Sequence, residues 1–137
     1  MDINAIVSAI ERGAMEGAKK GAFLIEREAK KTAPIDTSRY RNSIYTNVDM
    51  GRHQAYVSPR TYYAAYLEFG TGKYNIKGVR RSTGWFYNVT DPSSKYYGGH
   101  YTEGMRPKKT MQNAYKTQKS NIEKIIISEI NNQLGSL

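Results

Sequence analysis

INAIVSAIERGAMEGAKKGAFLIEREAKK, residues 3 to 31, carries the period on which the fold turns. Ile3, Ile6, Ile10, Ala14, Ala18, Ala22, Ile25 and Ala29 recur at steps of three or four, which predicts one helix of about seven turns with a single apolar stripe. Asp2 is placed to cap it by accepting from the unpaired N–H groups of the first turn. Ala33 precedes Pro34 and is biased away from helical backbone, so the helix should end near Thr32. Gly13, Gly17 and Gly21 also repeat at four, and each interior glycine costs a helix about 1 kcal/mol relative to alanine. Small residues in a row let another backbone come close. The partner is either a second helix or sheet of the same chain, or another subunit.

After this helix, residues 33 to 44, APIDTSRYRNSI, read as a hinge in which Asp36 caps a single helical turn through Ser38 and Arg39. SIYTNV and HQAYVSP follow as β-rich runs around Asp49-Met50-Gly51-Arg52, a short loop whose glycine suits a hairpin. In TYYAAYLEFGTG, residues 61 to 72, the spacing changes. Tyr62 with Tyr66, Tyr63 with Leu67 and Ala65 with Phe69 are i,i+4 pairs, predicting a short helix stopped by Gly70. Glu68 lies near the negative end of that helix, so it is either a solvated surface carboxylate or paired with a base, for which Arg106 is the candidate. GTGKYNIKGVRRSTG has no period and reads as a mobile loop, and GWFYNVT and KYYGGHYT as a hairpin about Asp91-Pro92-Ser93-Ser94. A last helix should begin about Pro107 and show Met111, Ala114, Tyr115, Gln118, Ile122, Ile125, Ile126 and Ile130 on one face. The class expected is α+β: two long terminal helices packed on a small antiparallel sheet of about four strands, with a loop and hairpin inserted at about 71–104 in a single domain, residues 1–137.

The 137 residues are one domain's worth of chain, and 39% hydrophobic with 24% charged residues is a globular composition. No apolar run nears the ~18 residues of a membrane helix, and an acid stands where a signal peptide would carry positive charge, so no membrane association or export is expected. The absence of cysteine removes disulfides and thiol chemistry. Histidines His53 and His100 stand alone, with no H-x-x-x-H and no Asp-x-Asp, and no serine sits in a nucleophile elbow. Gly70-Thr71-Gly72-Lys73 lacks the spacing of a phosphate loop. No catalytic residue, metal or cofactor is therefore expected. With 21 Lys and Arg against 12 Asp and Glu the net charge is +9, and the surplus is central and C-terminal. Lys73, Lys77, Arg80 and Arg81 form a stretch without an acid, placed to meet DNA or an acidic protein.

Three motifs lie in order between the long helices: A-x-x-x-A-P-I-D-T-S-x-x-x-x-S-I from Ala29 to Ile44, Y-A-A-Y-L-E-F-G-T-G from Tyr63 to Gly72, and G-M-R-P-K-K-T-M from Gly104 to Met111. Together they resemble a family of minor tail components of long-tailed double-stranded DNA phages, the tail-completion or head-to-tail joining proteins. That family typically reads A-P-x-D-T-G-x-L-x-x-S-I, then Y-x-x-Y-x-E-F-G-T, then G-x-x-P-R-P-F-L. Here Ser38 replaces the usual glycine, Tyr40 the leucine, and Lys108-Lys109-Thr110 the residues that supply an aromatic anchor.

The resemblance implies a non-enzymatic virion protein of the neck or upper tail, assembled in the host bacterial cytoplasm. It would work as a homo-oligomeric, sixfold ring joining the tail tube to the head connector. Its neighbours would be the tail terminator, the tube and a head-completion or stopper protein, with phage DNA in the channel. The motif residues carried over as structural or interfacial are Asp36, Thr37, Tyr63, Tyr66, Leu67, Glu68, Phe69, Gly70, Thr71, Gly104 and Pro107. Tyr63, Leu67 and Phe69 are candidates to pack under the sheet. A tail terminator or neck stopper is the alternative within phages. A freestanding nucleic-acid-binding protein is the alternative outside them, and a small nuclease lacks the metal ligands it would need.

Overall fold

The computed structural model describes residues 1–34, 38–78 and 80–137, which form two compact units: Met1–Thr61 with Thr110–Leu137, and Tyr62–Lys109. In chain order the elements are α1 (Ile3–Thr32), α2 (Arg39–Ser43), β1 (Tyr45–Asp49), β2 (Gln54–Ser58), α3 (Ala64–Phe69), a 3-10 turn (Gly72–Tyr74), β3 (Trp85–Val89), β4 (Gly98–Thr102) and α4 (Thr110–Gly135). The class is α+β, with long helices at both ends. The four strands form two antiparallel hairpins, β1–β2 and β3–β4.

In the first unit α1 and α4 run antiparallel. The glycine stripe sets their distance: a Cβ at Gly13 would lie 2.5 Å from Ile130 Cα, one at Gly17 2.6 Å from Ile126 Cα, and one at Gly21 2.8 Å from Ile122 Cγ2. The close approach is thus made within the chain, and the packing of the isoleucines on bare backbone offsets the helical cost of the glycines. Polar contacts follow the same register. Arg12 Nε–H donates to Gln133 Oε1 at 3.3 Å, Lys20 pairs with Glu129, and Gln118 Nε2 donates to Glu28 Oε2 at 3.4 Å. Gln118, the polar interruption of the α4 face, therefore has a partner across the pair. The hydrogen bond from Lys20 to Glu129 raises the lysine pKa above its ordinary value, against a smaller desolvation effect.

The buried face of α1 differs from the expected stripe. Ala9, Gly13, Met15, Gly17, Gly21, Ala22 and Ala29 are buried, whereas Ile3 and Ile10 are exposed. Bulk is not the criterion where α1 meets α4, because at Gly13, Gly17 and Gly21 only a residue without a side chain lets α4 come so near. Asp2 caps α1 through its carboxylate, which accepts from Ala5 N–H at 3.2 Å, and Ala33 leaves the helix in extended backbone.

The hinge leads into β1–β2, on which α1 packs, with Tyr40 and Ile44 buried. Asp36 and Thr37 lie outside the described residues. Ser38 precedes α2 with φ 59°. In the β1–β2 loop the left-handed residue is His53 (φ 53°), not the expected Gly51, and Asp49 Oδ1 accepts from Arg52 N–H at 3.1 Å to close the turn. The Arg60 guanidinium lies 3.6 Å over the Tyr45 ring, and hydrogen bonding to Ser58 and then Arg60 lowers the Tyr45 pKa. Helix α4 starts at Thr110 rather than at Pro107. Lys109 has φ 52°, a conformation that no helix continues through.

Candidate interaction site

The second unit brings together two motifs that are more than thirty residues apart. Helix α3 ends where Gly70 takes φ 78° and donates its N–H to the Tyr66 carbonyl at 2.9 Å. From there the chain runs beside residues 103 to 108. Thr71 N–H donates to the Met105 carbonyl at 2.9 Å, and Met105 N–H returns a bond to Thr71 Oγ1 at 2.8 Å. Lys73 N–H reaches the Glu103 carbonyl at 3.1 Å and Lys108 N–H the Leu67 carbonyl at 2.7 Å. The glycines are the condition for this clasp. A Cβ at Gly70 would sit 2.8 Å from the Met105 carbonyl and 2.9 Å from Pro107 Cδ, and one at Gly104 (φ 118°) would collide with the Thr71 carbonyl. Gly70, Thr71, Gly104 and Pro107 thus stand together, and the spacing of neither motif alone shows that they meet.

Around the clasp, cations lie on aromatic rings. Lys77 Nζ is 4.7 Å from the Phe69 centroid, the Arg81 guanidinium 4.6 Å from Trp85, and the Arg106 guanidinium 4.6 Å from Tyr74. Lys73 lies 5.2 Å from the Tyr74 ring and forms an ion pair with Glu103, whose hydrogen bond raises the lysine pKa. Arg80 Nε–H donates to the Asn75 carbonyl at 2.8 Å. Gly72–Tyr74 is therefore a turn held by specific contacts, within the stretch expected to be a mobile loop. Tyr63, Leu67, Glu68 and Phe69 are half-buried, while Tyr66 is exposed. Sequence reasoning missed Glu103 and Trp85. The one available signal for Glu103 was a lone acid next to the third motif in a basic segment.

Beyond the clasp, the β3–β4 hairpin pairs Phe86 with Tyr101 and Tyr87 with His100, the latter rings stacked at 5.3 Å. Lys95-Tyr96-Tyr97, expected in a strand, belongs to the connecting turn, since β4 starts at Gly98 (φ 112°). Asp91 begins that turn by accepting from Ser93 Oγ at 2.7 Å and Ser93 N–H at 2.9 Å. Phe86, at 81% exposure, and Tyr97, at 60%, are far more open than large aromatics in a finished core. Among the described residues no three His, Asp or Glu side chains are grouped as a metal ion would require, and no helix is long and apolar enough to cross a membrane.

A glycine-spaced helix pair with a motif-built clasp and an exposed aromatic hairpin describes a structural α+β module. Residues 3–70 match the family model HK97-gp10-like, described as "Bacteriophage HK97-gp10, putative tail-component". Over that stretch, from the start of α1 to the glycine that ends α3, the chain belongs to this family of phage tail components. Neither the curated proteins nor the solved structures gave a match.

Proposed function

We propose that the protein is a structural, non-enzymatic component of the phage neck or upper tail, joining the tail tube to the head connector as one subunit of a ring. The observation that carries this reading is the family match over residues 3–70, which includes the first two motifs up to Gly70. The same chain then works as a single tail-completion-like domain with residues 71–104 as its insertion. Because α4 occupies the glycine stripe, a ring contact must use other surface, and Val7, Ile10 and Phe23 of α1 and Ile127 of α4 are exposed apolar residues suited to it. Heterologous contacts of this kind close into rings when the rotation permits. The tail tube, the terminator and the head-completion or stopper protein are the expected neighbours, and the virion is the expected location.

In this reading Lys73, Lys77, Arg80 and Arg81, in the same unit as the clasp, are the surface offered to DNA in the channel or to an acidic neighbour. Charge reversal of Arg80 and Arg81 together should lower the yield of infectious particles while the purified chain still folds. Unchanged yield would remove these two residues from the contact surface.

A further inference from the structure

The second unit, Tyr62–Lys109, carries eight Lys and Arg against three Asp and Glu, and eleven of the chain's sixteen aromatic residues. Its cations are not equally available. Lys73 is committed to Glu103, and Arg80 spends its Nε–H on a backbone carbonyl. Arg81 and Arg106 are held differently. Each guanidinium has an aromatic ring against it, and neither forms an ion pair among the described residues. A stacked guanidinium is restrained in orientation while its N–H edges stay open to a bidentate oxygen acceptor.

Both arginines are tied to one three-residue turn. Arg81 N–H donates to the Gly72 carbonyl at 3.3 Å, and the Trp85 ring beneath its guanidinium abuts Gly72, where a Cβ would lie 2.9 Å from Trp85 Cζ3. Arg106 lies on Tyr74, the last residue of the same turn. We propose that Arg81 and Arg106 form a phosphate-binding pair for the backbone of a nucleic acid, arranged about the Gly72–Tyr74 turn. The inference rests on the basic turn being a contact surface. It goes further by choosing the ligand and by adding Arg106. A phosphodiester backbone suits the site better than an acidic protein. Protein interfaces exclude lysine from their centres, whereas this unit exposes Lys77 and Lys108 along with its arginines, and exposed cations are what neutralise phosphates.

Trp85, the only tryptophan, lies under Arg81 and reports on the site directly. The full chain is titrated with a short duplex DNA over a series of salt concentrations while tryptophan emission is followed. The proposal expects an emission change and an affinity that falls with salt. In the Arg81→Gln, Arg106→Gln double variant the slope of log affinity against log salt becomes shallower by about 1.8, one 0.9 step for each phosphate no longer neutralised. Lys19→Gln, an exposed lysine of α1 outside this surface, keeps the wild-type slope. An unaltered slope in the double variant overturns the proposal, as does a response to polyglutamate without one to DNA, which would assign the surface to an acidic protein. Loss of DNA binding in a chain that still binds tail tubes sinks this inference alone, whereas failure to bind tubes sinks the joining function.

Discussion

Ser38 occupies a left-handed backbone position (φ 59°, ψ −9°) and makes no side-chain cap to α2. The resembling family usually has glycine there, and the conformation supplies the reason, since a left-handed non-glycine residue costs about 1–2 kcal/mol. Glycine loses about 0.5–1 kcal/mol of that advantage to chain entropy. Ser38→Gly should therefore stabilise the protein by up to about 1 kcal/mol in urea unfolding. A loss of stability would show that the serine hydroxyl contributes something its conformation does not reveal. Asp91 gives a pH-dependent counterpart. Hydrogen bonds from the Ser93 hydroxyl and then from its N–H hold the Asp91 pKa below its ordinary 3.8. A carboxylate with a depressed folded pKa contributes stability that is complete above the unfolded value and lost as pH falls through the folded one. The Ser93 amide resonance should keep its hydrogen-bonded shift down to below pH 3.8 and then move, whereas a midpoint above 3.8 would contradict the turn geometry.

At the scale of elements, the helix pair depends on backbone contact, and its glycines are not equivalent. At Gly17 an added methyl meets Ile126 Cα, which only a shift of α4 relieves. At Gly21 it meets the side-chain methyl Ile122 Cγ2 and not the α4 backbone, so a smaller shift relieves it. Gly17→Ala should cost about 1–3 kcal/mol through overpacking despite alanine's better helix propensity, and Gly21→Ala distinctly less. Equal losses in denaturant melts would mean that the register described for α1 and α4 is wrong. The two long helices were legible because their period runs over many turns. The glycine row pointed to the close crossing, whereas the apolar stripe did not, because a hydrophobicity pattern ranks Ile10 above Gly13 while the crossing requires the reverse. Lys108-Lys109-Thr110 hid the start of α4 in a similar way: Pro107 is a helix-starting signal, but left-handed Lys109 postpones the start to Thr110. The turn residues marked both hairpins, β1–β2 and β3–β4, but not that they stay separate sheets instead of joining in one, since pairing between hairpins is a property of tertiary structure.

For the whole molecule, family membership was legible in motifs, and their meeting was not. The Thr71–Met105 bonds and the Gly104 approach are long-range facts that no local window contains, yet they account for two of the three motifs as halves of one clasp. The match to phage tail components covers residues 3–70. The proposed joining role is a matter of the assembled state, for which exposed aromatics such as Phe86 and the basic turn are the physical grounds. The most direct measurement is light scattering of the purified chain alone and after mixing with tail tubes of the same phage, followed by imaging of the tube ends. The joining account predicts a defined ring, or density added at one end of the tube. A monomer that leaves tubes bare and binds DNA in a salt-dependent way would contradict it, and would make the protein a freestanding nucleic-acid binder.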